Sequence, residues 1–141
     1  MNIILKIIPN VLYLIVGVIS LIMASKSIFA ESYLPFHKNA ANKSWNEIEE
    51  PLKNVILSLL RLGGLGFLIV SILLIVCTGL NYFVQSNIYK YTIPVIALIF
   101  CTGLFFNNYS LYKKTKSNTP WKGSLYAAIL ILSGIIISIF S

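Results

Sequence analysis

Charged residues are scarce in this sequence, and acidic residues are the scarcest. Only 11% of the 141 residues are charged, whereas roughly a quarter are charged in a typical soluble domain. The composition, with a mean hydropathy of +0.85, therefore indicates a membrane protein. All four acidic residues lie between Glu31 and Glu50, so no apolar run contains a carboxylate. This excludes a proton-coupled transporter that relays protons through an intramembrane acid.

Histidine and cysteine are also rare. The single histidine, His37, lacks the nearby ligands that a metal site needs, and Cys77 and Cys101 both lie inside apolar runs. We therefore expect no disulfide framework, no metal and no other cofactor. The net charge of +7 comes without a nucleic-acid-binding motif, so we expect no nucleic-acid partner.

Long apolar runs are what the sequence has in abundance. Four of them reach or approach the roughly 20 residues that cross a bilayer. They predict spans at about 3–25, 52–80, 91–112 and 120–140. The first run is longer than the apolar part of a signal peptide, so we expect it to be retained. The chain is predicted to be all-α, one domain of residues 1–141. It would form an integral membrane four-helix bundle whose long first loop carries a short interfacial helix.

Small and polar residues recur at helical spacing, and they predict which faces meet inside the bundle. The first and fourth spans carry regular stripes, whereas Ile96 and Ile99 interrupt the stripe of the third. The first stripe is Lys6, Asn10, Tyr13, Gly17, Ser20, Ala24, Ser27 and Glu31, the third is Thr92, Gly103, Asn107 and Ser110, and the fourth is Gly123, Ala127, Gly134 and Ser138.

The second span carries a polar stripe that ends at an arginine. Ser44-Trp45-Asn46-Glu47 fits a capping box, so a helix is expected to begin near Trp45. Pro51 then either kinks this helix or begins the span. If the helix is continuous, its polar face points into the bundle and reaches Arg61, roughly 9 Å beyond Val55. This polar face consists of Glu47, Glu50, Asn54, Ser58, Arg61 and Gly64.

Lysines are distributed unevenly between the two sides of the predicted bundle. Eight lie in or beside the first and third loops, and two lie on the opposite side. The positive-inside rule predicts that both loops are cytoplasmic and both termini outside. The basic loops also predict contact with the anionic headgroups of the lipid bilayer. The eight are Lys26, Lys38, Lys43, Lys53, Lys113, Lys114, Lys116 and Lys122, and the two are Lys6 and Lys90.

Arg61 is the main candidate for function, because a charged residue within a span usually faces the bundle or a water-filled cavity. Two interpretations stay open. The side chain either reaches lipid headgroups or pairs with Glu31, Glu47 or Glu50, or it binds an anion or substrate. His37 is either a plain interfacial histidine or a general base. No catalytic residue is assigned. The candidate binding or polar cluster is His37, Trp45, Glu47, Glu50, Asn54, Ser58, Arg61, Asn107 and Trp121.

Short motifs are scattered over most of the chain. They are Pro35-Phe36-His37, Ala40, Trp45, Leu60-Arg61, Gly63-Gly64 and Thr119-Pro120-Trp121. In these motifs the chain resembles an uncharacterised group of small four-span bacterial inner-membrane proteins with no assigned activity. The resemblance implies an inner-membrane location. Membrane enzymes of eicosanoid and glutathione metabolism have the same size and span number, but their membrane-embedded glutamate has no counterpart here.

Three functions stay open from the sequence. The first is a non-catalytic accessory, interaction or immunity-type protein that contacts a protein partner or a second copy of itself. It needs only small-residue helix faces and basic loops. The second is an oligomeric transporter or anion channel that uses Arg61. The third is a membrane enzyme acting on a lipophilic substrate at the cytoplasmic mouth, where His37, a glutamate and Arg61 would meet.

Overall fold

The computed structural model describes residues 3–84 and 86–140, with side chains from Lys6 onward. The described chain is helical and contains no strand, which confirms the predicted all-α four-helix bundle. In chain order, its helices are α1 (Ile3–Ile28), α2 (Pro35–Ala41), a 3₁₀ turn (Trp45–Glu47), α3 (Glu50–Phe83), a π-helical turn (Ile88–Thr92), α4 (Ile93–Thr115) and α5 (Trp121–Ile139). Four of these segments are long and apolar enough to cross a membrane. The protein is therefore a multi-pass membrane protein.

Helix α1 lies at the centre of the packing. It packs against α3 and α5, while α4 packs mainly against α5 and only lightly against α3. The predicted stripe on α1 is confirmed from Tyr13 to Ser27, where its residues are buried, but its last member, Glu31, lies beyond the helix and is exposed. Glycines make these contacts close: a Cβ on Gly134 would lie 2.5 Å from the Tyr13 ring, and one on Gly17 would lie 3.0 Å from Ile75. Small residues thus let the backbones approach, as is usual between membrane helices.

Helix α4 buries a different face from the polar stripe that its sequence suggested. Pro94, Ala97 and Cys101 are buried, whereas the residues of the predicted stripe are exposed, namely Thr92, Gly103, Asn107 and Ser110. The buried face is also made of small side chains, but it contains no polar one apart from the cysteine thiol. Lipid gives no reason to bury isoleucine, so the exposed Ile96 and Ile99 belong to the lipid-facing side.

The long first loop contains the short helix that was predicted, but at a different place. Helix α2 begins at Pro35, whose fixed φ suits the first helical turn, and ends before Asn42 in the left-handed region at φ 51°. The capping-box segment forms only the 3₁₀ turn, in which the Ser44 amide donates to the Glu47 carboxylate over 2.8 Å.

Helix α3 begins separately from that turn. Ile48 and Glu49 are extended, Glu49 is the cap residue, and Pro51 lies in the first turn. Of the two alternatives for Pro51, the one in which it begins the span is therefore correct. The negative charges of Glu49 and Glu50 suit this end of the helix because its dipole is positive there.

The start of α4 is adapted to Pro94. In the preceding π-helical turn the Ile93 amide donates to the carbonyl of Ile88, five residues earlier. In this register the next donor to the Tyr89 carbonyl would be residue 94, but proline has no N–H. The Cys77 thiol of α3 donates to that carbonyl instead, over 2.7 Å. This contact also ties the turn to α3.

Candidate functional site

The bundle has two ends with different chemistry. We call the end with residues 29–49 and 116–120 the long-loop end. The other, called the terminal end, contains the start of α1, the end of α5 and residues 84–92 without the undescribed residue 85. A cavity lies at each end, and the two differ in charge: one has no charged residue in its described lining, and the other is lined by two lysines.

The cavity at the long-loop end is a groove of about 540 Å³ between α3 and α4, and α2 covers it. The two helices touch near mid-span, where the Phe67 and Phe100 rings meet edge to face at 5.5 Å, and the groove lies on the long-loop side of this contact. No Asp, Glu, Lys or Arg is among the described residues that line the groove. They are Met23, Ser27, Tyr33, Leu34, Phe36, His37, Ala40, Ala41, Ile48, Ile56, Leu59, Leu60, Gly63, Phe67, Leu104, Asn107, Asn108, Leu111 and Pro120.

Polar groups of the groove are gathered where α2 meets α4. His37 of α2 is half-buried, and its Nδ1 is buried with no hydrogen-bond partner among the described residues. Burial lowers the pKa of His37 below its usual 6.5, so the imidazole is neutral at neutral pH. On α4, the Asn108 amide donates to the Ser124 hydroxyl over 3.1 Å, and the Thr119 hydroxyl donates to the Asn108 carbonyl over 2.9 Å.

Arg61 does not line the groove. It is exposed, and it makes no ion pair or hydrogen bond with the described residues, so of the alternatives left open for it the pair with a glutamate is not formed. Its neighbour Leu60 lines the groove, and successive residues on a helix are turned by about 100° from each other. The side chain of Arg61 therefore points around the helix, away from the groove.

The position of Arg61 along the bundle follows from its neighbour Gly64. Gly64 packs against Ser27 and Ile28, the last residues of α1. Arg61 lies three residues, or about 4.5 Å, nearer the start of α3. Arg61 is thus level with the end of α1, and α3 continues beyond it toward the long-loop end.

The other polar residues of the predicted stripe are also exposed, so the expectation that the stripe faces the bundle is wrong except at Gly64, which is buried. Glu50, Asn54 and Ser58 are exposed on α3, and Glu47 lies on the separate 3₁₀ turn. Glu50 pairs with Lys53 over 2.7 Å, the single ion pair among the described residues. The bundle-facing side of α3 is instead marked by Gly64, Val70, Ser71, Leu74 and Cys77.

The two tryptophans of the predicted cluster lie in separate aromatic groups. Trp45 contacts the Tyr33 ring edge to face at 5.1 Å, and Tyr33 in turn donates a hydrogen bond to the Lys43 carbonyl. Trp121 packs against Tyr109 at 5.5 Å, in a group of rings at the start of α5. Of the predicted cluster, only His37 and Asn107 line the same cavity.

The cavity at the terminal end was missed by the sequence analysis. It has a volume of about 450 Å³ and is lined mainly by polar side chains, including Lys6, Asn10, Asn81 and Lys90. In the sequence, Lys6 and Lys90 served only to predict the orientation of the protein in the membrane. The sequence did contain a signal for this cavity. Lys6 and Asn10 belong to the stripe that packs against the other helices, and Asn81 lies near the end of α3, the helix that α1 contacts most.

No protein-family model matches the chain, and no curated protein or solved structure matches it either. Within the described residues, no three His, Cys, Asp or Glu side chains are grouped closely enough to hold a metal ion. The function is therefore inferred from the two cavities and the residues around them.

Proposed function

We propose that this protein is a non-catalytic membrane protein that binds a neutral lipophilic molecule in the groove between α3 and α4. The observation that carries this proposal is the groove itself, with about 540 Å³ of volume and no formally charged residue in its described lining. Mostly apolar cavities of about 300–1,000 Å³ with a few grouped polar atoms are typical small-molecule sites.

The size of the groove favours a hydrocarbon chain over a helix of another protein. A helix with its side chains is at least about 10 Å across. A volume of 540 Å³ would therefore enclose only about 7 Å of helix, little more than one turn. A flexible chain can follow the groove along the apolar residues Ile56, Leu59 and Leu104.

The polar edge of the groove favours a ligand with a small uncharged headgroup. The partnerless Nδ1 of His37 is a buried polar atom, and such an atom costs about 1–3 kcal/mol while it has no partner. A hydroxyl or amide of the ligand beside α2 would relieve this cost. A carboxylate or ammonium would have to leave water without a counter-ion, which is far more costly. Long-chain alcohols and similar neutral amphiphiles fit both conditions.

In the cell we place the protein in the bacterial inner membrane, with the long-loop end in the cytoplasm. The eight lysines on that side support this orientation, as does the resemblance to small inner-membrane proteins. The exposed Arg61, level with the end of α1, then lies where anionic lipid headgroups are found. The ligand would be presented to, or withheld from, a protein partner or a second copy of the chain, as expected of an accessory, interaction or immunity-type protein.

The enzyme hypothesis shares this groove and is the second candidate, because His37 is neutral and could accept a proton. The glutamates expected to act with His37, Glu47 and Glu50, are exposed and do not line the groove. The channel hypothesis is weaker, because Arg61 lines neither cavity within one copy of the chain.

The test is photolabelling of the purified protein with a long-chain alcohol that carries a diazirine in its chain. Labelled peptides should contain groove residues of α3 and α4, such as Leu59 and Leu104, and an excess of the unlabelled alcohol should suppress the labelling. Gly63→Leu should abolish it, because Gly63 lines the groove and has no atoms within 4 Å to obstruct a longer side chain.

The matched control is Gly79→Leu, which also has open space around it on α3 but lines neither cavity. It should keep wild-type labelling. Equal labelling in the two variants, or label spread evenly over the lipid-facing surface, would show that the groove is not a specific site. Turnover of the bound alcohol to a new product would favour the enzyme instead.

A further inference from the structure

The terminal end contains a second cavity whose lining is basic. Lys6 comes from the first turns of α1 and Lys90 from the π-helical turn, and both side chains reach the cavity, where both are half-buried. They are 84 residues apart in the sequence and are the only lysines at this end. The fold therefore gathers all the basic side chains of the terminal end around one space of about 450 Å³.

Neither lysine has an acidic partner. Every acidic residue of the chain lies between Glu31 and Glu50 at the long-loop end. Helix α3 alone separates Glu50 from Asn81, at the cavity, by 31 residues, or about 47 Å. Charges in water are screened beyond about 8 Å at physiological ionic strength, so no acidic side chain of this chain compensates the two lysines.

The cavity wall also offers ordered hydrogen-bonding groups. The Asn81 amide donates to the Asn10 side-chain oxygen over 3.0 Å, and the Asn10 amide donates to the Lys6 carbonyl over 3.3 Å. Each amide group has a second N–H available, since an NH₂ group donates twice. Ser86 and Asn87 complete the polar side of the wall.

We propose that this cavity binds a phosphate-type oxyanion, held by Lys6 and Lys90 and hydrogen-bonded by the asparagine amides. The ligand supplies negative charge at an end that has no acidic side chain, and its several oxygens match several donors. Free phosphate and the phosphate of a lipid headgroup share this chemistry. The site is independent of the groove at the other end.

The experiment uses the full chain purified in an uncharged detergent. In one arm, thermal unfolding is measured in phosphate and in chloride at equal ionic strength. In the other, native mass spectrometry compares the number of phosphatidylglycerol molecules that the protein retains with the number of phosphatidylcholine molecules. A phosphate-dependent rise in the unfolding temperature identifies a free oxyanion, and selective retention of phosphatidylglycerol identifies a headgroup.

The decisive variant is Lys6→Gln combined with Lys90→Gln, with the corresponding double arginine variant as the charge-conserving partner. The glutamine pair should bind about 30-fold more weakly, and the arginine pair should bind nearly as well as wild type. Lys114→Gln, an exposed lysine at the long-loop end, is the control and should leave the phosphate-dependent rise in the unfolding temperature unchanged. The proposal is overturned if neither ligand binds, or if the glutamine pair binds as tightly as wild type.

Discussion

Two adjacent glycines on α3 should respond in opposite ways to the same substitution. A Cβ on Gly64 would lie 2.7 Å from Ile28 Cγ1, 3.0 Å from the Ile28 backbone nitrogen and 3.0 Å from Ser27 Cβ. A Cβ on Gly63 would meet nothing within 4 Å. Gly64→Ala therefore forces α1 and α3 apart near the end of α1, while Gly63→Ala leaves the packing unchanged.

The size of the effect follows from the contact distances. Carbon atoms pack best at about 3.5–4.0 Å, so α1 must move by about 0.5–0.8 Å to accept the Gly64→Ala methyl group. Overpacking of this kind costs about 1–3 kcal/mol. Both variants gain the same helix propensity, up to about 1 kcal/mol. Because this gain is the same in both variants, it drops out when their stabilities are compared. Gly64→Ala should therefore be less stable than Gly63→Ala by about 1–3 kcal/mol.

The assay is reversible unfolding in mixed micelles of an uncharged detergent and increasing SDS, followed by circular dichroism. Ile28→Ala in the Gly64→Ala background should restore only part of the loss, because it removes the Ile28 Cγ1 contact but leaves the backbone nitrogen and Ser27. Stabilities of the two glycine variants within about 0.5 kcal/mol of each other would refute the close approach of α1 to α3 at Gly64.

Two further predictions concern the Cys77 thiol and the His37 imidazole. Cys77→Ala should lower the stability by about 1–3 kcal/mol in the same unfolding assay, because the Tyr89 carbonyl loses its donor, whereas Cys77→Ser should stay close to wild type. His37 has a lowered pKa, so its unfolded form binds a proton first and stability should fall as the pH drops below about 6.5. A comparison of unfolding midpoints from pH 7.5 to pH 5 should show this loss in the wild type and not in His37→Gln, and identical profiles would contradict it.

The number of helices and the inner face of α1 could be predicted from the sequence, because both rest on strong local signals. Apolar runs of sufficient length must be helical in a bilayer, where every backbone polar group needs an internal partner. On α1 the small residues from Gly17 to Ser27 share one face, and they are the residues that allow close contact with α3. The two signals agree, so the prediction was correct.

The inner face of α3 could not be predicted, because two signals on that helix compete. The polar residues Asn54, Ser58 and Arg61 share a face with Gly64, and the sequence treats them as one stripe. Only Gly64 of this stripe is buried, since α1 ends at its level and offers nothing for the earlier residues to pack against. The level at which α1 ends beside α3 depends on how the helices are assembled, so the pattern of α3 alone could not show it.

Charge is distributed along the bundle in a way that connects the two proposed sites. Most of the charged residues lie at or near the long-loop end. None of those that the structure describes lines the groove. Their charge therefore acts at the surface, where it sets the orientation and attracts lipid headgroups. The terminal end contains only Lys6 and Lys90, and both line its cavity. If lysines at this end served solubility alone, they would have no reason to converge from two separate segments. Their convergence makes the terminal cavity suited to an anion, just as the exclusion of charge makes the groove suited to a neutral chain.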